Sequence, residues 1–269
     1  MSRLTPTFEQ LRKNKRKALV PYIVAGDPEM KLSLPLMHKL VAQGADILEI
    51  GVPFSDPMAE GPVIQLAHER ALVHGVSLSA ILELVAEFRE RDNNTPVVLM
   101  GYANPVERMG YADFARRAEA AGVDGVLIVD MPPEEADDLN ACLAEHALDN
   151  IFLLAPTTTD ERIAKVSALA GGYLYCVSLK GVTGAGNIDV AQVKTMMQRI
   201  QAHTDLPVTV GFGIKDAQTA TQVAACCDGV VVGSALVSSI AASDGSEAAV
   251  LEATTLIRDI RHALDALSG

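Results

Sequence analysis

The 269-residue sequence contains no tryptophan and few aromatic residues of any kind. Phe, Trp and Tyr together make up 4% of the chain, whereas hydrophobic residues make up 49%. This balance argues against a core built on large rings and favours one of Val, Ile, Leu and Ala. Such a core suits strands and helices in alternation.

Long apolar runs and paired cysteines are also missing. The N-terminus is polar and has no apolar h-region, and no later apolar run approaches the length that spans a bilayer. The four cysteines, at positions 142, 176, 226 and 227, form no C-x-x-C pair. We therefore expect neither secretion nor membrane insertion, and we expect reduced thiols in a cytoplasmic protein.

The sequence has no excess of basic charge. Its formal net charge at pH 7 is −12, so its long-range field repels polyanions and nucleic-acid binding is not expected. The one basic run, residues 12–17, is interpreted as the C-terminal end of a first helix at about residues 7–15, where cations complement the helix dipole. The six histidines show no H-x-x-x-H or H-E-x-x-H spacing, so the sequence predicts no metal site.

What the sequence does contain is a regular alternation of short β-branched runs with stretches of helical periodicity. The eight predicted strands are residues 19–24, 46–50, 97–100, 125–129, 151–154, 173–177, 208–210 and 229–232. The predicted helices between and after them are residues 34–40, 78–88, 114–121, 136–143, 163–169, 190–200, 217–225 and 250–267.

Near-continuous apolar strands separated by helices are typical of a parallel sheet covered on its outer face, and a closed barrel needs eight such units. We therefore predict an α/β fold, a single (β/α)8 TIM barrel over residues 1–269, with the first helix capping the barrel bottom. No composition shift or linker divides the chain. An open doubly wound sheet is the alternative, but no G-x-G-x-x-G motif follows the first strand to support dinucleotide binding.

The loop after the second predicted strand is a candidate for acid–base chemistry, because catalytic residues of such barrels lie on loops that follow strand C-termini. Residues 49–62 read EIGVPFSDPMAEGP, where prolines stiffen the loop and glycines permit hinging, as in an active-site lid. Glu49 alternates with Ile47. If that side faces the barrel interior, burial raises the pKa of the Glu49 carboxyl towards neutral pH. A salt bridge on the outer side of the strand is the alternative.

Three further strand ends are rich in glycine. Residues 178–187 include glycines at 181, 184 and 186, which suit a loop that closes over a ligand. Residues 211–215 and 233–236 follow the seventh and eighth strands, and the second of these turns opens a helix. Glycine turns at these two positions are typical of phosphate binding by backbone amides, with the Ser234 hydroxyl as a further donor. Each turn taken alone is equally well explained as a tight turn.

Three segments resemble the tryptophan synthase α family. They are LEIGVPFSDP at residues 48–57, GVTG at residues 181–184 and GFGI at residues 211–214. The resemblance extends in order over essentially the whole chain. It implies a lyase that cleaves indole-3-glycerol phosphate by a retro-aldol reaction, giving indole and glyceraldehyde 3-phosphate in the last steps of L-tryptophan biosynthesis.

The resemblance also assigns roles to individual residues. Glu49 matches the general acid–base of the family, and residue 60 matches a second carboxylate that accepts the indole N–H. The family usually has Asp there, and Glu60 extends the carboxylate by roughly one bond at a site that is sensitive on the ångström scale. The implied catalytic residues are Glu49, Glu60 and Tyr175, the substrate-binding residues are Tyr22, Met100, Leu127, Thr183 and Phe212, and the phosphate contacts are Gly184, Gly213, Gly233 and Ser234.

The same resemblance implies a partner, and no cofactor in this chain. The partner is the β subunit, which holds pyridoxal phosphate, receives indole through a tunnel and forms an α2β2 heterotetramer. Its docking surface would include residues 53–57, 104–105 and 131–133, which are rich in proline. Two further departures from the family are Tyr22, where it often has Phe, and Leu179, where several members have Arg.

Two other functions stay open at this point. A sugar-phosphate isomerase or epimerase on the same barrel would use catalytic Asp, His or Lys on several strand ends, and here those ends are mostly apolar apart from Glu49 and Asp130. A non-catalytic regulatory barrel would bind indole-3-glycerol phosphate and activate the β subunit without cleaving the substrate, as a result of the change at residue 60.

Overall fold

The strands of the computed structural model all run parallel. The structure describes residues 2–177, 190–211 and 213–267. Its strands are β1 (Ala18–Val24), β2 (Leu48–Gly51), β3 (Val97–Gly101), β4 (Gly125–Ile128), β5 (Asp149–Asn150), β6 (Phe152–Leu154), β7 (Leu174–Val177), β8 (Val208–Gly211) and β9 (Gly229–Val232). Their order in the sheet is β5-β4-β3-β2-β1-β9-β8-β7-β6.

The two ends of this sheet meet in one stretch of chain, because β5 and β6 are consecutive segments separated by Ile151 alone. On one side, the Ile151 N–H donates to the Val126 carbonyl of β4 at 2.8 Å. On the other side, Phe152 pairs in register with Leu174 of β7. The predicted TIM barrel is therefore confirmed, and the open doubly wound alternative is wrong.

Helices connect the strands. They are α1 (Leu4–Lys13), α2 (Met30–Ala42), α3 (Pro62–Val73), α4 (Leu78–Arg89), α5 (Ala103–Met109), α6 (Tyr111–Ala121), α7 (Asp137–Glu145), α8 (Asp160–Leu169), α9 (Val190–Gln201), α10 (Ala217–Ala224), α11 (Ser234–Ala241), α12 (Glu247–Glu252) and α13 (Thr255–Asp265). Sequence patterns had indicated most of them but not α3 or α5, and α11 was expected from the glycine turn at residues 233–236 and not from periodicity. The closing stretch 250–267 divides into the end of α12 and α13.

Local sequence signals explain where several elements begin. Ser77, Thr159 and Ser246 are N-caps whose side chains accept from the amide three residues further on. Asp216 and Thr219 form a reciprocal capping box at the start of α10. β1, with the sequence ALVPYIV, is buried along its whole length. Both of its faces are apolar because helices cover the outer face and side chains fill the barrel.

The first helix covers the N-terminal ends of the strands, as predicted. Leu4 is fully buried and fills the space beside Gly125 and Gly172. The ring of Phe8 lies 5.6 Å from the ring of Tyr173, just before β7. Helix α1 therefore packs against the bottom of the barrel and covers it.

A buried ion network ties the barrel bottom together around Asp124, which is 1% exposed. Its carboxylate accepts from Arg89 Nη2 at 2.8 Å and from Arg3 Nη1 at 3.0 Å. It also accepts from the Val97 amide at 2.9 Å. The network therefore links the chain just before α1 and the end of α4 to the starts of β3 and β4.

Three other sequence expectations concern the membrane, the cysteines and metal binding. Within the described ranges, no single helix is long and apolar enough to cross a membrane. The helices α3 and α4 taken together have the length and composition of a membrane span, but they are bent by 93° relative to each other. All four cysteines lie in the described ranges as free thiols. No group of three His, Cys, Asp or Glu side chains in those ranges is placed to hold a metal ion.

We expect Asp124→Asn to destabilise the barrel. Removal of one partner from a buried ion pair leaves the Arg89 charge without compensation, which costs about 3–5 kcal/mol. Urea unfolding would measure the free energy of unfolding. Asp259→Asn, which removes an exposed partner of Arg258 at 3.4 Å, is the control, with an expected change below about 0.5 kcal/mol. Equal effects of the two substitutions would contradict a stabilising role for the network.

Candidate active site

A pocket of about 530 Å³ opens at the C-terminal ends of the strands. Its volume lies within the range of about 300–1,000 Å³ that is typical of small-molecule sites. Its wall combines β1, β2, β3 and β7 with the chain after β8 and β9. The residues that line it are Tyr22, Glu49, Glu60, Gly61, Pro62, Val63, Ile64, Met100, Tyr175, Gly213, Ile214, Lys215, Val231, Gly233, Ser234, Ala235 and Ser238.

Glu49 lies inside the barrel, on β2. It pairs in register with Tyr22 of β1 and Val98 of β3. Its side chain is 0% exposed, and neither carboxyl oxygen has a hydrogen-bond partner among the described residues. A buried carboxyl in this state is ready to exchange a proton with a ligand, and it does not form the salt bridge on the outer side of the strand that was the alternative.

Two carboxyl groups with raised pKa values face the same pocket. Burial, and secondarily the charge of Glu60, raises the pKa of Glu49 to about 8. Burial raises the pKa of Glu60 to about 7. Near neutral pH Glu49 therefore holds a proton, while Glu60 is partly ionised. The pair can supply a donor and an acceptor at the same time, which is the requirement of general acid–base catalysis.

The loop that carries Glu60, residues 52–61 and here called the lid loop, is held by Tyr102. The ring of Phe54 stacks on that of Tyr102, with centroids 5.0 Å apart and an interplanar angle of 24°. The Ala59 amide donates to Tyr102 Oη at 3.1 Å. Closer to the carboxyl, Gln65 Nε2 donates to the Glu60 carbonyl at 2.9 Å. These contacts place the Glu60 backbone at the pocket mouth.

Two tyrosine hydroxyls reach over glycines in the strands that surround the pocket. A Cβ at Gly51 would collide with the Tyr22 hydroxyl, and a Cβ at Gly211 would collide with the Tyr175 hydroxyl. Burial raises the pKa of both tyrosines well above its usual value, and the charges of Glu49 and Glu60 raise it further. Both phenols therefore stay protonated and can donate hydrogen bonds.

The opposite wall of the pocket offers donors for an anion. Gly213 has a φ of 81°, which favours glycine, and it turns the chain after β8 towards the pocket. Helix α11 begins at Ser234, and in the described part of the chain no side chain caps its N-terminus. Its first amides are therefore available to a phosphate group, and Lys215 adds a positive charge to the same wall.

The structure brings together most of the residues that the sequence indicated. Those that line the pocket are Tyr22, Glu49, Glu60, Met100, Tyr175, Gly213, Gly233 and Ser234. Leu127 pairs in register with Met100 but is fully buried, and the wall formed by the described residues does not include it. Thr183, Gly184 and Phe212 lie outside the described residues, as does Leu179.

Three polar residues near the site, Lys215, Tyr173 and Thr209, were not indicated as site residues by the sequence analysis. Lys215 directly follows the GFGI segment, and its position after the seventh predicted strand was the available signal. Tyr173 and Thr209 carry buried hydroxyls without a partner among the described residues, but Thr209 lies in the apolar strand β8 and Tyr173 directly precedes β7, where they resemble core residues. Asp130, which an isomerase would use, accepts from the Ala103 amide at 2.8 Å and is not among the pocket-lining residues just named.

Comparison with known sequences identifies a single family. The family model described as Tryptophan synthase alpha chain matches residues 8–265. The tryptophan synthase alpha chain of Methylococcus capsulatus is 58% identical over 267 residues, which cover 99% of this chain and 100% of that protein. The corresponding protein of Nitrosococcus oceani is 57% identical over 267 residues, which cover 99% of this chain and 98% of that protein.

Solved structures agree with the sequence comparison. Tryptophan synthase subunit alpha from Legionella pneumophila matches with a TM-score of 0.91 and 46% identity, and the match covers 99% of both chains. A chain from the aminoacrylate-bound form of tryptophan synthase from M. tuberculosis matches with a TM-score of 0.87 and 36% identity, covering 98% of this chain and 100% of that one. Fold and sequence therefore point to the same relatives.

We expect Glu49→Gln to stabilise the folded protein, and the gain to grow with pH. Folding raises the pKa of Glu49 from 4.5 to about 8, so between these values the folded state holds a proton that the unfolded state has lost. The stability of the parent chain therefore falls as the pH rises through this window. An uncharged amide avoids this loss.

Thermal unfolding would measure the effect, with a melting temperature about 5 °C above that of the parent chain near pH 8 and little difference near pH 5. The matched control is Glu83→Gln, on the exposed face of α4, where we expect a change in stability below about 0.5 kcal/mol. A pH-independent difference for Glu49→Gln would contradict the raised pKa.

Proposed function

Because this chain belongs to the tryptophan synthase alpha chain family, we propose that the pocket at the top of its barrel is where indole-3-glycerol phosphate is cleaved. The family carries this lyase activity in tryptophan biosynthesis. One observation supports the choice of the residues that form this site. The buried Glu49 carboxyl, without a partner among the described residues, shares its pocket with Glu60 and with the amide-rich wall at Gly233 and Ser234.

Glu49 has the properties of the group that moves the proton. In the retro-aldol reaction, protonation of indole C3 gives an indolenine-like intermediate. The glycerol hydroxyl then loses its proton to form the carbonyl of glyceraldehyde 3-phosphate, and the electrons of the broken C–C bond restore aromatic indole. A carboxyl with a pKa of about 8 can give its proton to C3, and its carboxylate can accept the hydroxyl proton. One residue can therefore serve both steps without a net change of charge.

Glu60 accepts the indole N–H in this proposal. The bond becomes more acidic as the intermediate develops positive charge, so a carboxylate acceptor stabilises the intermediate more strongly than the substrate. In the lid loop the Glu60 amide donates to the Pro57 carbonyl at 3.0 Å, and from this backbone the longer side chain of Glu lines the pocket. Tyr175, whose hydroxyl lies close to the two carboxyl groups, is the third catalytic residue.

Substrate binding divides the pocket into two parts. The indole ring lies between Tyr22 and Met100, with Leu127 packed behind them, and the sequence resemblance adds Thr183 and Phe212. The phosphate lies at the N-terminus of α11 and accepts from amides at Gly213, Gly233 and Ser234, with Gly184 added by the resemblance. An uncapped helix N-terminus supports this orientation, since its orphan amides need an acceptor. Lys215 contributes charge at the same end.

The family pairs with a β subunit, and we propose that this chain does so in an α2β2 heterotetramer. The surface that supports this is the exposed lid loop, where Met58 is 83% exposed, together with Asn104, also exposed, on the neighbouring α5. Indole would pass to the β subunit, to which pyridoxal phosphate belongs, whereas the alpha chain has no cofactor of its own. Nucleic acid and membrane are not expected partners at a net charge of −12.

The other functions are not favoured. Family membership argues against a sugar-phosphate isomerase or epimerase, and Asp130, the residue it would use, is not among the pocket-lining residues. A regulatory barrel without activity has no need of a buried, protonated Glu49. We further propose that residues 1–269 form one catalytic barrel domain and that the protein is cytoplasmic, which the free thiols support.

We expect Glu49→Gln to lower kcat for indole release from indole-3-glycerol phosphate by at least about 100-fold, because an amide cannot exchange the proton. KM should change only slightly, since the amide keeps the shape of the carboxyl. The purified chain is assayed alone and with an excess of β subunit, with Glu83→Gln as the control of unchanged activity.

Cleavage by the parent chain that rises with β subunit and disappears in Glu49→Gln is the expected result. A parent chain that cleaves nothing under either condition would contradict the lyase assignment. Recovery of activity by Glu60→Asp in that case would favour the regulatory barrel.

We expect Ser234→Ala to raise KM for indole-3-glycerol phosphate by about 10- to 150-fold, the effect of one lost hydrogen bond to a charged group, and to leave kcat nearly unchanged. Steady-state kinetics of indole release would measure both constants. Ser239→Ala is the matched control, because its hydroxyl donates to the Ala235 carbonyl within the same helix at 3.0 Å. A loss of kcat without a change in KM would contradict the phosphate assignment.

We expect this chain and the β subunit to form a complex with two copies of each, measured by sedimentation velocity. Met58→Asp should weaken the complex by about tenfold or more, since a charge in a desolvated interface costs more than 1.4 kcal/mol. Leu267→Asp is the control, at a 48% exposed residue beside the barrel bottom. If both substitutions weakened the complex equally, the lid loop would not be the docking surface.

A further inference from the structure

His68 is a buried histidine that has no assigned role in the proposed reaction. It lies in the second turn of α3, directly after the lid loop, and is 2% exposed. Its two ring nitrogens contact two different parts of the site. Nδ1 lies 3.1 Å from the backbone nitrogen of Phe54 in the lid loop, and Nε2 lies 3.3 Å from Tyr22 Oη in the pocket wall.

The first contact determines where the imidazole carries its proton. A backbone N–H can only donate, so Nδ1 must accept from Phe54 and cannot itself be protonated. Burial lowers the pKa of His68 to about 4, so the ring is neutral at physiological pH and holds its single proton on Nε2. Nε2–H therefore donates to Tyr22 Oη, and the direction of both hydrogen bonds is fixed.

The second contact leaves the Tyr22 hydroxyl free to donate its own proton to another group. Its oxygen accepts from His68, so its own proton is turned away from the imidazole. Tyr22 is 4% exposed, pairs in register with Glu49 and lines the same pocket as Glu60. On that side the Glu60 carboxylate, the Glu49 carboxyl and any substrate oxygen or nitrogen held between them can accept its hydrogen bond. His68 thus directs a hydrogen-bond donor at the reacting end of the pocket.

We propose that His68 is a positioning residue for the cleavage reaction, which orients the O–H of Tyr22 towards the Glu49–Glu60 pair and ties that orientation to the Phe54 amide of the lid loop. The inference rests on the proposed function, because it assigns a role in that reaction to a side chain in contact with Tyr22 of the pocket wall. Tyr22 and His68 form one unit. The buried hydroxyl of Tyr22 needs a hydrogen-bond partner, and the imidazole of His68 provides one.

The unit also connects the lid loop to the chemistry. The ring of Phe54 stacks on Tyr102, and Tyr102 accepts from the Ala59 amide one residue before Glu60. A movement of the lid loop that takes Phe54 away breaks its bond to Nδ1. The imidazole is then free to rotate or to move its proton, and the Tyr22 hydroxyl loses its fixed orientation. The donor is therefore correctly oriented only when the lid loop is in place.

A double-mutant cycle on kcat for indole-3-glycerol phosphate cleavage tests the inference. His68→Asn keeps an acceptor within reach of the Phe54 amide but removes the donor to Tyr22, and Tyr22→Phe removes the hydroxyl. Each single variant should lower kcat by about 3- to 10-fold with KM within about twofold, the effect of one misplaced hydrogen bond. The double variant should be no slower than Tyr22→Phe alone, because His68 acts through that hydroxyl.

If the effects of His68→Asn and Tyr22→Phe on kcat multiply in the double variant, His68 acts independently of Tyr22. That result would overturn the positioning role. Melting temperatures of the three variants separate this from a loss of folded protein, and a structural role alone would lower the melting temperature without lowering kcat per folded molecule. His203→Asn, at an exposed residue after α9, is the control histidine substitution.

Nitrogen-15 NMR of histidine-labelled protein tests the geometry without relying on activity. We expect the His68 signals, assigned by their loss in His68→Asn, to show the neutral Nε2–H tautomer, with the Nε2 signal shifted in Tyr22→Phe. The Nδ1–H tautomer, or a cation at neutral pH, would overturn the inference. A parent chain that fails to cleave the substrate would overturn the proposed function as well, whereas an active parent chain with multiplying effects would overturn the role of His68 alone.

Discussion

Closure of the parallel barrel around the Glu49 carboxyl is the constraint on which the rest of the site depends. A closed ring of parallel strands brings every strand C-terminus to one rim, and α1 seals the other end with Leu4 and Phe8. Glu49 is therefore removed from bulk water on all sides but the pocket. Desolvation of this kind disfavours the charged carboxylate, and the same burial that raises its pKa shields the reacting bond from water.

Stability and chemistry occupy opposite ends of this barrel. At the bottom, Asp124 has its carboxylate bound by two arginines, and the apolar side chains of α1 fill the remaining space. At the top, Glu49 has no hydrogen-bond partner among the described residues, and such a group destabilises the folded state unless a ligand satisfies it. The ion pairs at the bottom of the barrel offset the loss of stability from the unpaired carboxyl at the top. This division is typical of the fold.

Much of the architecture could be predicted because the determining patterns are local. Strands buried on both faces are continuous apolar runs, and the first, second and last predicted strands lie within about two residues of the observed ends. Helix α3 was not predicted, because it begins at Pro62, the last residue of the proline-rich segment 49–62 that was interpreted as an active-site lid. Strand β5 was also missed, because Asp149 and Asn150 are polar and lie outside the apolar run at residues 151–154 that was predicted as the strand.

The candidate site also combines features that the local sequence determines with features that only the tertiary structure determines. The sequence alone determined the alternation of strands and helices, the place of Glu49 on the second strand and the glycine turns after the seventh and eighth predicted strands, because alternation and turn chemistry act between near neighbours. The sequence left open which side of the strand Glu49 occupies, and the structure places it inside the barrel. Only the tertiary structure decided that Leu127 lies behind the wall, that Lys215 joins it, and that His68 meets Tyr22 across 46 residues. Partners so far apart in the chain are brought within hydrogen-bond distance by closure of the barrel, and no local pattern records that distance.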